Sequence, residues 1–203
     1  MRRPRIIRGL VACLWTRRAL LAVPALLILM AAGPSRAEGD YARPVRIAPL
    51  VGARVFAEPL RLNSEFAFGL RVSMGVSERV SVAMDVGHSS PVRKTSGKSM
   101  SFGEMRLLTT VDLLRGPVRP YALVGLGGQF FNFHDTSGAV GLVFAGGLGV
   151  EYDPPARWSV FAEGSADFYR ADYYSSLSSY LDPGSANQTL ATGVFTLGIQ
   201  YEF

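Results

Sequence analysis

The chain is predicted to be all-β: an eight-stranded antiparallel up-and-down transmembrane β-barrel after a cleavable signal peptide. Three observations predict this class. Segment after segment alternates apolar and small or polar residues with period two, and beyond the N-terminal region no helical periodicity of any length appears. Every charge inside those segments falls in a single phase. The connections between them alternate between short and long, the arrangement of membrane barrels.

A first strand is read at 45–56, weakened by Pro49, which cannot donate to a ladder. Residues 65–76 give the clearest alternation. Phe66, Phe68, Leu70, Val72, Met74 and Val76 face one way, and Glu65, Ala67, Gly69, Arg71, Ser73 and Gly75 the other. After a Ser77-Glu78 turn, Val80, Val82, Met84 and Val86 alternate with Ser81, Ala83, Asp85 and Gly87. Met105, Leu107, Thr109, Val111 and Leu113 then oppose Glu104, Arg106, Leu108, Thr110 and Asp112. The fifth, sixth and seventh strands lie around 121–130, 140–151 and 158–169, and the eighth sets Phe195, Leu197, Ile199, Tyr201 and Phe203 against Thr196, Gly198, Gln200 and Glu202. Short turns fall near Ser77-Glu78, Arg115-Gly116-Pro117 and Asp153-Pro154-Pro155-Ala156, and longer polar connections at 57–64, 88–100, 131–138 and 170–188.

Period two also fits a soluble barrel, so the faces decide the class. Arg46, Arg54, Arg71, Asp85, Glu104, Arg106, Asp112, Glu151, Glu163, Asp167 and Glu202 share one phase, and the opposite phase has no charge. A charge facing lipid at mid-bilayer costs roughly 2–4 kcal/mol, so its exclusion marks the lipid face. The charged phase is otherwise rich in Gly, Ala, Ser and Thr, which suits the narrow interior of about eight strands. Aromatic residues gather near the strand ends: Tyr152, Trp158, Tyr201 and Phe203 at one, and Phe66, Phe68, Phe130 and Phe168 at the other. Together they form two interfacial girdles.

The N-terminal region reads as a leader over 1–37. Arg2, Arg3, Arg5, Arg8, Arg17 and Arg18 precede an apolar run from Ala19 to Ala32, and Gly33-Pro34-Ser35-Arg36-Ala37 supplies small residues for cleavage after Ala37. Residues 38–44 then form a short periplasmic segment and 45–203 the barrel. The formal charge of +5 is misleading, because seven of the 21 Lys and Arg precede Glu38 and the remaining 14 meet all 16 Asp and Glu. The mature chain is near −2, and a nucleic-acid reading falls away. Leu10-Val11-Ala12-Cys13 resembles a lipoprotein box but precedes the apolar run, and Arg17-Arg18 resembles a twin-arginine signal, a route for folded cargo; neither is adopted. Cys13 is the only cysteine, so the mature region has no disulfide and no thiolate metal site.

Arg119-Pro120-Tyr121-Ala122-Leu123-Val124-Gly125-Leu126-Gly127, Gly146-Gly147-Leu148-Gly149-Val150-Glu151-Tyr152 and the ending Ile199-Gln200-Tyr201-Glu202-Phe203 resemble the small outer-membrane barrels of the OmpA-like, OmpX-like and OmpW-like superfamily. The likeness covers about 45–203, and its motifs bear on architecture rather than activity. It implies a bacterial outer-membrane location, periplasmic termini, extracellular long loops and a monomer amid outer-membrane lipid and lipopolysaccharide. It also implies that Phe203, with Phe195, Leu197, Ile199 and Tyr201 at alternate positions before it, is read by the barrel-assembly machinery. No peptidoglycan-binding domain of the OmpA type is read after Phe203.

Arg54, Arg71, Asp85, Glu104, Arg106, Asp112, Glu151 and Glu163 are expected to form ion pairs and networks that plug the lumen, since unpaired charges there would be costly. Basic Arg93, Lys94 and Lys98 are candidates for contact with lipopolysaccharide phosphates. Tyr173, Tyr174, Leu177, Tyr180 and Leu181 make loop 170–188 a candidate contact surface. The functional expectation is a non-enzymatic barrel for envelope integrity or surface contact. One alternative is a narrow channel for small or apolar solutes, as in OmpW-like relatives. The other is a lipid A-modifying enzyme, because deacylases of such barrels use His, Ser and Glu, and His88, Ser90 and Glu104 lie close in sequence. Against that enzyme, the asparagines flanking the deacylase site are missing, and Glu104 falls in the lumen phase while His88 continues the lipid phase. His134 is isolated in a loop, Asn187-Gln188-Thr189 is a chance glycosylation match, and no cofactor, metal or nucleotide motif is read.

Overall fold

A computed structural model describes residues 44–94, 97–132, 139–154, 157–170 and 189–203. The leader 1–37, with Cys13 and the cleavage position, lies outside the described residues, as do His134 and the aromatic segment 171–188.

Eight strands follow one another along the chain: β1 (Val45–Val55), β2 (Glu65–Gly75), β3 (Val80–Ser89), β4 (Ser101–Asp112), β5 (Val118–Asn132), β6 (Ala139–Tyr152), β7 (Trp158–Arg170) and β8 (Thr189–Glu202). Each pairs antiparallel with the next, and β8 returns to β1, closing the barrel. Closure leaves no edge strand, which is how a sheet satisfies its backbone polar groups in lipid. Pro49 does not break β1. Its pairing with β2 is continuous through Pro49 and Leu70, and the interruption falls on the β8 side, where Ala48 and Pro49 have no register partner.

The strands run further into the long-loop end than the alternation indicated. His88 and Ser89, expected in a loop, belong to β3, and β8 begins at Thr189. Small and polar residues such as Ser101, Gly103, Ala191 and Gly193 dominate these extensions, so the pleated ladder continues after its apolar signature has faded.

Phase is kept around the ring. Phe66, Phe68, Val124, Leu126, Phe144, Leu148, Phe195, Leu197 and Ile199 are exposed on the outer wall. Val72 and Met84, paired across β2 and β3 in the same outward phase, are buried but belong to no interior apolar cluster.

Inward residues form layers, and β4 displays them in sequence. Phe102 is apolar, Glu104 and Arg106 are charged, Leu108 is apolar and Asp112 is charged again. At the long-loop end, Phe56, Leu60, Leu62 and Met100 from two connections pack on Phe102, Phe131, Val143, Tyr169 and Leu190 as an apolar cap. Phe102 meets Phe56 and Phe131 edge-on, with centroids 5.6 and 4.8 Å apart. Deeper, Ala83, Leu108, Tyr121, Leu123 and Ala145 make one apolar cluster and Ala48, Leu50 and Phe161 another. Gly149 makes room for this filling: a Cβ there would lie 2.3 Å from the Tyr121 ring.

Candidate functional site

The inward phase of β1, β2, β3, β4 and β7 brings seven ionised side chains together in the barrel, all at most 7 % exposed. They form a chain of alternating sign. Glu104 pairs with Arg54, and Arg54 Nη1 donates to Asp167 Oδ2 at 3.3 Å. Asp167 Oδ1 accepts from Arg106 Nη1 at 3.2 Å, and Arg106 Nη2 donates to Asp85 Oδ2 at 3.2 Å. Arg71 then binds two carboxylates with both edges of its guanidinium. It reaches Asp85 at 2.7 and 2.8 Å and Glu163 at 2.9 and 2.8 Å. Such fork-on-fork bonds are the strong geometry for an Arg–carboxylate pair. Tyr121 OH donates to Glu163 at 2.9 Å and Gln129 Nε2 to Asp167 at 3.1 Å. Two guanidiniums also lie over rings, Arg54 over Phe102 at 4.4 Å and Arg71 over Phe161 at 4.7 Å. Toward the cap end, Arg54 Nε, Arg106 Nε, Ser89 Oγ and Glu104 Oε2 are buried without a hydrogen-bond partner.

Asp112 and Glu151, expected among the same lumen charges, lie in a second network at the short-turn end. There Glu151 Oε1 accepts from Arg46 Nη1 at 3.0 Å, Arg119 Nη2 at 3.1 Å and Ser159 Oγ at 2.8 Å. Arg119 also donates to Asp153 at 2.6 Å and lies 3.9 Å from Asp112, while Arg46 donates to Glu202 at 3.1 Å. The apolar side chains around Leu108, Tyr121 and Phe161 intervene between the two networks. The inward charges therefore form two networks, one buried and one at a half-open rim. Asp167, in the charged phase but not among the candidate residues, is fully buried and joins two arginines. Its place four residues after Glu163 on the same strand face was the available signal. Tyr121 and Gln129 share the inward phase of β5, a weaker signal than charge.

His88 Nε2 and Ser90 Oγ lie 3.5 Å apart on the exposed outer wall. Glu104 is turned inward on Arg54, so the three residues considered for lipid A chemistry do not form one constellation. Arg93, Lys94 and Lys98 sit in the β3–β4 connection, with Lys94 and Lys98 exposed. That connection is tied to the β1–β2 connection: Asn63 N donates to Val92 O at 2.9 Å and Lys94 N to Arg61 O at 2.7 Å, around a Leu62–Arg93 bridge. Arg61 thereby joins the basic group, which its distance along the chain had concealed.

Comparison with known proteins gives the same architecture. The family model described as outer membrane protein beta-barrel domain matches residues 23–203. The crystal structure of Neisserial surface protein A is similar at a TM-score of 0.53 with 16% identity, covering 82% of this chain and 100% of that one. A major outer membrane protein from Thermus thermophilus aligns at 0.51 with 13% identity, covering 80% and 100%. No curated protein sequence matches the chain.

Proposed function

The chain belongs to the outer membrane protein β-barrel domain family, and from that premise we propose that it is a non-enzymatic, non-conducting barrel that contributes to envelope integrity or surface contact. Its termini and short turns face the periplasm and its long connections face outward, after export behind the cleaved leader. The observation that carries the reading is the filled interior: the chain of ion pairs from Glu104 to Glu163, beneath a cap of aromatic and aliphatic side chains. A solute would have to break charge pairs at most 7 % exposed and part the edge-on Phe56–Phe102–Phe131 cluster. Breaking buried pairs singly is costly, because the remaining partner is left uncompensated. No catalytic role is assigned to His88 and Ser90, since the Glu104 carboxylate is committed to Arg54 on the other side of the wall.

The channel reading is separated from this one by conductance. Purified wild-type protein in a planar bilayer is expected to give no steady current, while Arg71→Ala, which removes four buried hydrogen bonds, gives transient openings. A large, steady wild-type current overturns the closed barrel. Lipid A mass spectra from cells with and without the protein are expected to match, and a His88-dependent loss of an acyl chain would make it an enzyme.

A further inference from the structure

We propose that the long-loop end of the β2–β4 wall is a seat for a phosphorylated glycolipid of the outer leaflet, with Arg61, Lys94 and Lys98 taking its phosphates and the aromatic wall below taking its acyl chains. The inference rests on the outward orientation of the long connections given above.

Two connections 30 residues apart in the chain build the basic part together. The Arg61–Lys94 and Asn63–Val92 backbone bonds hold them side by side, and within the second Arg93 N donates to Lys98 O at 3.0 Å and Gly97 N to Arg93 O at 2.9 Å. Gly97 takes a positive φ of 66°, which glycine adopts without strain. The bridged pair is anchored below by Leu60, Leu62 and Met100, all buried in the cap. The cations are thus presented on a fixed frame, which lowers the ordering cost of binding. Residues 56–64 and 90–100 contain four cations and a single acid, Glu58.

The wall beneath has the complementary character. Phe66 and Phe68 are 75% and 60% exposed on β2. Register carries the Phe68 level across β3 and β4 through His88 and Gly103 to Phe130 on β5. Gly103 leaves open space there, since a Cβ would meet nothing nearer than 3.9 Å. His88 is the only titratable group in the outward phase of β2, β3 and β4, and with Ser90 it offers hydrogen bonds between the rings and the cations. Cations above, imidazole and hydroxyl between, and rings beside an open strip below match an amphiphile with anionic phosphates, a sugar headgroup and acyl chains. Basic residues near an anionic membrane surface are each worth about a fivefold change in affinity, and guanidinium suits phosphate geometry.

The test uses full-length mature protein in vesicles of zwitterionic lipid, titrated with bisphosphorylated lipid A or with the dephosphorylated lipid of the same acyl chains, and complexes counted by native mass spectrometry. The bisphosphorylated form is expected to bind at least tenfold tighter. Arg61→Ala alone should lower that affinity about fivefold, and Arg61→Ala/Lys94→Ala/Lys98→Ala should abolish the preference, while Arg115→Ala at the opposite end leaves it intact. Variants are compared only where heat-modifiable gel mobility shows a folded barrel, and the wild-type comparison of the two lipids needs no variant at all. Equal binding of the two lipids, or a triple variant indistinguishable from wild type, overturns the seat. Competition by inorganic phosphate as strong as by the lipid would make it a free-anion site and overturn the lipid assignment. Conductance of the same samples reports separately on the closed interior, so a failure of one reading is not mistaken for a failure of the other.

Discussion

Arg71 illustrates how much a single side chain holds when it lies inside a barrel wall. Its guanidinium makes two bonds to Asp85 on the neighbouring strand and two to Glu163 across the interior, and its face rests on Phe161. Both carboxylate side chains are almost fully buried, so removing the cation strands two negative charges away from water. Arg71→Ala is therefore expected to destabilise the barrel by about 3–5 kcal/mol, read from urea unfolding in lipid vesicles. The exposed Arg115–Glu78 pair at a turn is the contrast, where Arg115→Ala should cost about 0–1 kcal/mol. A similar loss for both variants would mean that burial does not set the worth of these pairs. The sequence made Arg71 legible as an inward charge, because it breaks an otherwise apolar or small alternation. Its second partner was not legible. Glu163 lies 92 residues away, and only the closure and stagger of the whole sheet bring the two together. The same reasoning explains why Asp112 and Glu151 were grouped with the central charges: phase reports the face of a residue and says nothing of its height along the axis.

At the scale of elements, the strands were readable and the connections much less so. Alternation marks a strand wherever one face meets acyl chains, but it fades at the long-loop end, where Ser101, Gly103 and Ala191 continue the ladder with small residues. The β1–β2 connection reads as a polar loop, yet it folds through a short 3-10 turn at Glu58–Leu60, with Arg61 in a left-handed conformation at φ 51°, and places Leu60 and Leu62 in the cap. Those leucines are anchors that hold both connections over the mouth. Leu62→Ala should loosen them, since truncating a buried leucine costs about 2–5 kcal/mol and this one is itself the bridge partner of Arg93. The expected result is faster trypsin cleavage after Arg93, Lys94 or Lys98 with the strands still protected and the gel mobility of the folded barrel retained. Unchanged cleavage would show that the backbone bonds alone fix the connections. Global unfolding instead would show that the cap is inseparable from the wall.

For the whole molecule, the decisive event is the meeting of the last strand with the first. β8 closes on β1 from Arg46–Glu202 to Val55–Gly193, and the final backbone bond runs from Phe203 N to Val45 O at 3.1 Å. The seam has a weak point, because Ala48 and Pro49 have no partners on β8, so the pairs on either side of that gap carry the closure. The outward residues of β8 are large and unshielded by protein: Phe195, Leu197, Ile199, Tyr201 and Phe203 are 59%, 57%, 59%, 46% and 72% exposed. Tyr201 and Phe203 meet edge-on with centroids 5.1 Å apart, an aromatic pair at the short-turn end where the wall meets the interface. On the expectation that an assembly factor reads this ending, the exposed Tyr201 and Phe203 would be held by that factor before the seam forms and by the membrane interface afterwards. The two roles predict different consequences for Phe203→Ala. In cells, loss of recognition should lower the amount of barrel in the outer-membrane fraction several-fold and leave unfolded, protease-sensitive chain behind. In purified lipid vesicles, where no assembly factor acts, the same variant should fold to the same heat-modifiable form, because its side chain makes no interior contact and its backbone bond to Val45 remains. A variant that fails in both settings would place Phe203 in the closure of the seam itself. One that succeeds in both would leave Phe203 without a recognition role and shift the search for the assembly signal to Phe195, Leu197, Ile199 and Tyr201 earlier in the same strand.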